Sequence, residues 1–260
     1  MFARLLILMV IVTLALPITA LTGPGGANPS SWHMNDVAAK GKKHKNKKDN
    51  KPKFTTVTRT MRQPVTQTFT SSGPITIPQG APGTTKGPAT PYPSAIEVSG
   101  LTNGTITDVN LILDDVTHSY VTDLDILLST SAGSRALVMS DVGAFVGATD
   151  VDLTLDDEAG ASLPNDRLSS GTFRPTDLGV VADTFAAPAP APNGIVALNT
   201  FDGADPNGTW QLWVVDDRDD DVGDIASWAL EITAEADVQV QERVPVTKDT
   251  KHKKHKKGKK

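Results

Sequence analysis

The sequence predicts an antiparallel β-sandwich or jelly roll, on three observations. Short runs between residues 105 and 232 alternate apolar and polar side chains with period two, the pattern of half-buried strands. Turn-forming pairs separate them: Asn103-Gly104, Ser131-Ala132-Gly133, Asn193-Gly194, Asp202-Gly203 and Asn207-Gly208. Beyond the N-terminal apolar run, no long window sets apolar residues at i, i+3, i+4 and i+7, so little helix is expected.

In chain order, Met1-Phe2-Ala3-Arg4 leads into an apolar run from Leu5 to Leu16, followed by Pro17 and small-residue exits at Ala20 and Ala27. This reads as a signal peptide over residues 1–20, with cleavage as late as residue 27 the alternative. The run is shorter than the roughly 20 residues that span a bilayer, so no transmembrane anchor is expected. Residues 21–55 are rich in Gly, Pro, Asn, Ser and Lys without apolar periodicity, and read as a disordered lysine-rich arm. One sandwich domain is expected over residues 56–235. From 236 to 260, "DVQVQERVPV" alternates like a last edge strand before a disordered tail rich in Lys and His.

Within the domain, Val109, Leu111 and Leu113 alternate in one run, Leu124, Ile126 and Leu128 in a second, and Val151, Leu153 and Leu155 in a third. Trp210, Leu212 and Val214, then Trp228, Leu230 and Ile232, repeat the pattern. The inward set gives a core of Leu111, Leu113, Leu124, Ile126, Leu128, Leu153, Leu155, Trp210, Leu212, Trp228 and Leu230. Trp213 falls on the opposite face of its strand and is the tryptophan expected to be exposed.

The chain has no cysteine, so core burial or a bound ion must hold an exported fold together. An exported chain of this kind fits a bacterial source. Charge is segregated: Lys40–Lys53 and Lys248–Lys260 each carry eight lysines and a net +7, while residues 54–247 carry a net −19. Such arms suit anionic envelope polymers or lipids as partners. They hold no aromatic residue for base stacking, so sequence-specific binding of nucleic acid is not expected.

Chemistry-bearing residues are few. His118 is the one histidine of the domain, with Asp114, Asp115 and Ser119 nearby, but no G-x-S-x-G elbow presents a nucleophile, and His118 reads as structural. The loop from Asp216 to Asp224 spaces Asp217, Asp219 and Asp221 like the start of an EF-hand, yet glycine is missing from position six and Trp228 stands where the bidentate Glu belongs. Two more acidic corners, Asp123 with Asp125 and Asp156 with Asp157, flank strands. Repelling carboxylates are relieved by a hard divalent ion. The expectation is therefore Ca²⁺ bound among Asp123, Asp125, Asp156, Asp157, Asp216 and Asp221, with solvated or turn-capping carboxylates the alternative. The Asn-Gly-Thr triplets at Asn103 and Asn207 read as turns.

The ordered blocks "GPITIPQG", "SAIEVSGL", "ITDVNLILDDVTHSYVTDLDILLSTSAGSRALVMSDVG", "LDDEA", "GTFRPTDLG", "FDGADPNGTWQLWVVDD" and "DVGDIASWALEI" resemble the P domain, or Homo B domain, of proprotein convertases and bacterial subtilisin-like proteases, from about Gly73 to Ile232. The resemblance departs at His118-Ser119, where the family usually has His-Thr, and at Thr130-Ser131-Ala132-Gly133, where it has a proline-bearing turn. It implies a jelly-roll sandwich of galactose-binding-like architecture that packs beside a subtilisin-type domain, stabilises it and carries no catalytic residue. Upstream of these blocks the sequence holds only the apolar leader and the lysine arm. The expected function is thus a secreted, non-catalytic accessory or interaction module, with a protease or another secreted protein as a further partner. The alternative is a hydrolase, serine-type or carbohydrate-active, with an unrecognised site on the sandwich.

Overall fold

The computed structural model describes residues 11–12, 52–78 and 86–246. The expected leader (except Ile11 and Val12), most of the N-terminal lysine arm and the lysine tail lie outside these residues. In chain order the strands are β1 (Ile11–Val12), β2 (Phe54–Thr70), β3 (Ile75–Ile77), β4 (Gly87–Pro88), β5 (Ser94–Val98), β6 (Thr105–His118) and β7 (Leu124–Thr130). There follow β8 (Arg135–Ser140), β9 (Ala148–Leu155), β10 (Gly171–Phe173), β11 (Thr176–Asp177), β12 (Gly208–Asp216) and β13 (Gly223–Pro245). The chain divides into two compact units, Met61–Val238 and, separately, Met1–Thr60 with Gln239–Lys260.

The larger unit is the expected sandwich. One sheet orders β13-β6-β9-β10, with β3 also on β13; the other orders β11-β8-β7-β12, with β4 and β5 on the far edge of β12. Trp228 stands opposite Leu113 and Leu230 opposite Leu111, so the inward residues of β13 and β6 share one face. In the second sheet Leu212 stands opposite Leu128 and Val214 opposite Ile126. All these side chains join one buried cluster between the sheets, and every expected core residue is in it. Each central indole finds a partner for its N–H, Trp228 donating to Ser94 Oγ at 2.8 Å and Trp210 to the Pro206 carbonyl at 2.9 Å.

The sheets are mixed rather than purely antiparallel. β10 runs parallel to β9 and β11 parallel to β8. Both pairs are joined by long connections, residues 156–170 and 141–175, which give the chain room to cross over and return in the same direction.

Trp213 corrects a second expectation. It faces away from the main core, as the alternation requires, but is only 3 % exposed. With Leu127 and Leu137 it forms a smaller cluster on the outer face of the second sheet, covered by Tyr92, Phe185 and Ala189. The Tyr92 ring meets the indole edge-on at 4.9 Å, and Trp213 Nε1 donates to Ser129 Oγ at 2.9 Å. The covering segment is tied down by Tyr92 Oη donating to the Ala186 carbonyl, Arg135 Nε donating to that of Ala191, and Leu137 N donating to that of Ile195.

Regular structure begins at Phe54, and the expected edge strand near Asp237 is the last part of the 23-residue β13. Thr and Val recur along β2, where Pro64 interrupts no central ladder because β2 pairs only with β13. In the smaller unit the ends of β2 and β13 form a ribbon: Gln239 Nε2 donates to Thr60 Oγ1 at 2.8 Å, Arg59 pairs with Glu242 at 3.3 Å, and Val246 N donates to the Lys53 carbonyl at 2.8 Å. β1 pairs here with Val240 and Gln241.

Truncating a buried tryptophan removes its transfer free energy and leaves a cavity, at a cost of about 3–5 kcal/mol. Trp210→Ala and Trp228→Ala are each expected to lower the unfolding free energy by that amount, read as an earlier midpoint of chemical denaturation. A variant that kept the parental midpoint would show the packing described here to be wrong.

Candidate functional site

At the end of β6, His118 is buried, and its Nε2 lies 3.3 Å from Oδ2 of the fully buried Asp216, the last residue of β12. On the other side of the ring, Nδ1 lies 2.9 Å from the Tyr120 carbonyl. The Tyr120 amide also lies 3.3 Å from Nδ1, and the otherwise unpartnered Nε2 and Asp216 Oδ2 face each other. Asp216 Oδ1 accepts the Arg218 amide at 2.9 Å, which starts the acidic loop. Gly223 closes that loop where β13 passes so near β6 that a Cβ would collide with the Thr117 carbonyl and the His118 ring.

Ser119 does not complete a catalytic relay. Its hydroxyl donates to Asp221 Oδ1 at 2.6 Å and accepts the Val222 amide at 3.0 Å, while the His118 ring is engaged elsewhere. A nucleophile needs its base within hydrogen-bond reach, and here that bond is absent. The histidine, serine and aspartate instead tie the Asp216–Val222 loop to the turn after β6, reinforced by the Asp217 amide donating to the Asp123 carbonyl at 3.0 Å.

The carboxylates gather beside this knot. Asp125 lies on the outer face of β7, opposite Val215, and is 3 % exposed. Asp141 follows β8, and Asp183 arrives on the segment that goes on to cover Trp213. One carboxylate oxygen from each of Asp125, Asp141 and Asp183 lies within 4.8 Å of the others. Buried Ser140 donates to Asp141 Oδ2 at 3.2 Å, and a Cβ at Gly179 would collide with that same oxygen. The glycine is what lets the covering segment approach.

Burial raises the Asp125 carboxyl to about 8, with Asp183, Asp217 and Asp141 adding repulsion. Burial likewise raises Asp123 to about 6, aided by Asp216, Asp217 and Asp221. Asp183 and Asp217 are raised for the same two reasons. Next to them a surface cleft of about 500 Å³ is lined by Tyr120, Asp123, Asp141, Phe145, Leu178 and Arg218.

Of the six aspartates expected to ligate calcium, Asp123, Asp125, Asp216 and Asp221 therefore share one end of the sandwich. Asp156 and Asp157 do not join them. Leu155 stands opposite Leu111 whereas Ala148 stands opposite His118, which sets the two acidic corners on the order of 23 Å apart along β6. Asp157 has its own task, accepting the amides of Leu198 and Asn199 at 3.0 and 2.8 Å, and Asp156 accepts that of Glu158 at 2.7 Å. Asp141 and Asp183, which complete the three-carboxylate group, were missed. The available signals were "SDVG" directly after a strand and the glycine of "TDLG".

Residues 174–232 match the family described as the proprotein convertase P-domain. The matched stretch holds the covering segment, β12, the acidic loop and the first part of β13; the blocks from Gly73 to Phe173 rest on the resemblance of their residues. No curated protein and no solved structure matches the chain. Among the described residues no helix is long and apolar enough to cross a membrane.

The raised carboxyls fix a pH dependence. Between the ordinary aspartate value of 3.8 and about 8, the folded chain holds a proton on Asp125 that the unfolded chain has released. Stability therefore falls as pH rises through that window. With divalent ions chelated, the melting temperature is expected to drop from pH 4.5 to pH 8, with Asp123 contributing below about 6. Asp125→Asn should flatten most of the slope, and an unchanged slope in that variant would refute the assignment.

Proposed function

We propose, from the P-domain match and the site just described, that this chain is an exported, non-catalytic β-sandwich module serving a serine endopeptidase, stabilised by Ca²⁺ and tethered to anionic surfaces by its lysine arms. P domains are associated with proprotein convertases and subtilisin-like proteases. The observation that carries the non-catalytic reading is the geometry of His118, whose two ring nitrogens are spent on Asp216 and Tyr120 in a fully buried setting. Phe145, Leu178, Val180 and Val181 are exposed apolar residues beside the acidic corner, the kind of surface a protein partner covers.

Calcium fits the three-carboxylate group rather than the full set of six aspartates. Ca²⁺ binds oxygen at 2.3–2.6 Å, so two ligands of one ion stand at most ~5 Å apart. The 4.8 Å grouping of Asp125, Asp141 and Asp183 meets that limit with hard oxygen donors and no imidazole. An ion there would replace the proton on Asp125 and fasten the covering segment over Trp213. Asp123, Asp216 and Asp221 would lend charge from the neighbouring loop, while Asp156 and Asp157 would remain turn caps.

Two measurements test this reading. The purified chain should show no turnover of casein or polysaccharides, and turnover abolished by His118→Ala would establish the hydrolase alternative instead. A hundredfold excess of Ca²⁺ over its Kd should stabilise the fold by about 2.7 kcal/mol, a rise of roughly 5–10 °C in melting temperature. Asp183→Asn should abolish the rise and Asp157→Asn should leave it intact. Identical melting curves in EDTA and in millimolar calcium would remove the ion from the proposal.

A further inference from the structure

The two lysine runs lie about two hundred residues apart in sequence, yet the described residues bordering them are neighbours. Lys53 ends the first run, and its carbonyl accepts the amide of Val246, two residues before the second run begins. Lys53 and Val246, the described residues that border the two runs in sequence, therefore meet at one end of the β2–β13 ribbon. That end is not purely polar. Phe54, which opens β2, is 48 % exposed and Val246, just after β13, 51 %, and the Arg243 guanidinium sits 5.3 Å from the Phe54 ring centroid.

A linear polyanion would use the lysines and have no use for the apolar pair. A lipid surface uses both: polybasic charge draws the protein to anionic headgroups, and apolar side chains enter the headgroup boundary. One weak apolar signal holds a protein only marginally at a membrane, whereas an apolar signal next to a polybasic one holds it firmly. The net −19 of residues 54–247 opposes approach by any other charged route. We infer that the ribbon end is an interfacial docking element for an anionic lipid surface, with Phe54 and Val246 entering the boundary and both lysine runs converging on the headgroups around them. This inference rests on the tether reading and narrows its partner to lipid.

The test compares four full-length chains by co-sedimentation with phosphatidylglycerol-containing vesicles, and by filter binding to DNA, both at 0.15 M salt. They are the parent, Phe54→Ser with Val246→Ser, Phe54→Leu with Val246→Leu, and a chain with all arm lysines changed to glutamine. The serine pair should lose about tenfold in vesicle affinity, the yield of partly burying two apolar side chains, and nothing in DNA affinity. The leucine pair should match the parent on vesicles, which separates loss of apolarity from any change in the ribbon. The glutamine chain should lose both activities. Parental vesicle binding by the serine pair would overturn the lipid inference and leave the tether reading standing. Parental vesicle binding by the glutamine chain would overturn the tether itself.

Discussion

Everything at the acidic end follows from one strand having two apolar faces. β12 lies inside the second sheet, between β7 and the pair β4 and β5, and sends Trp210, Leu212 and Val214 into the main core. Its alternate residues, Trp213 and Val215, are buried as well. An apolar outer face on a sheet must be covered, because an exposed indole beside Leu127 and Leu137 would leave several hundred Å² of apolar surface in water. The segment between β11 and β12 supplies that cover, and in crossing the sheet it carries Asp183 to Asp125. The carboxylate group is thus a consequence of how a tryptophan is buried.

The fold was legible because period-two alternation is a local signal. Leu111, Leu153, Trp210 and Trp228 each announce their face through their neighbours two residues away, and all are in the core. Trp213 obeyed the same rule, but alternation gives the face and not what lies over it. The cover is a proline-rich stretch with no periodicity of its own, so nothing near Trp213 in sequence reveals it. The parallel pairs β9–β10 and β8–β11 were illegible for a similar reason, since direction is decided by where a long connection returns. The β2 strand is rich in Thr and sits on one partner, giving little apolar contrast to read.

Of the three-carboxylate group, Asp125 lies in an acidic corner that the sequence displays, whereas Asp141 and Asp183 join it only through the fold. Clustering in sequence points to Asp123, Asp125, Asp216 and Asp221, and of these Asp125 belongs to the three-carboxylate group. Asp156 and Asp157 cluster just as tightly, yet their carboxylates cap local turns, because density alone does not distinguish a carboxylate that accepts backbone amides from one that lacks donors. The distinction is one of supply. Asp157 takes two amides, whereas the surroundings of Asp125 offer the Ser140 hydroxyl, which donates to Asp141.

That shortage explains why a proton is held at this place. A buried carboxylate without enough donors has two ways to shed its charge cost, and Asp125 takes the first by holding a proton to about pH 8. The knot of His118 and Asp216 shows another solution at the neighbouring loop: a polar partner supplied by the protein itself, with imidazole Nε2 3.3 Å from the carboxylate. Asp125, Asp141 and Asp183 form no ion pair among the described residues, and repulsion between them works against the apolar packing of the covering segment over Trp213. Whatever neutralises the three carboxylates therefore also decides how firmly the outer face is sealed. Hydrophobic cover and acidic corner are one mechanical unit, held by apolar contact at Phe185 and by charge balance at Asp183.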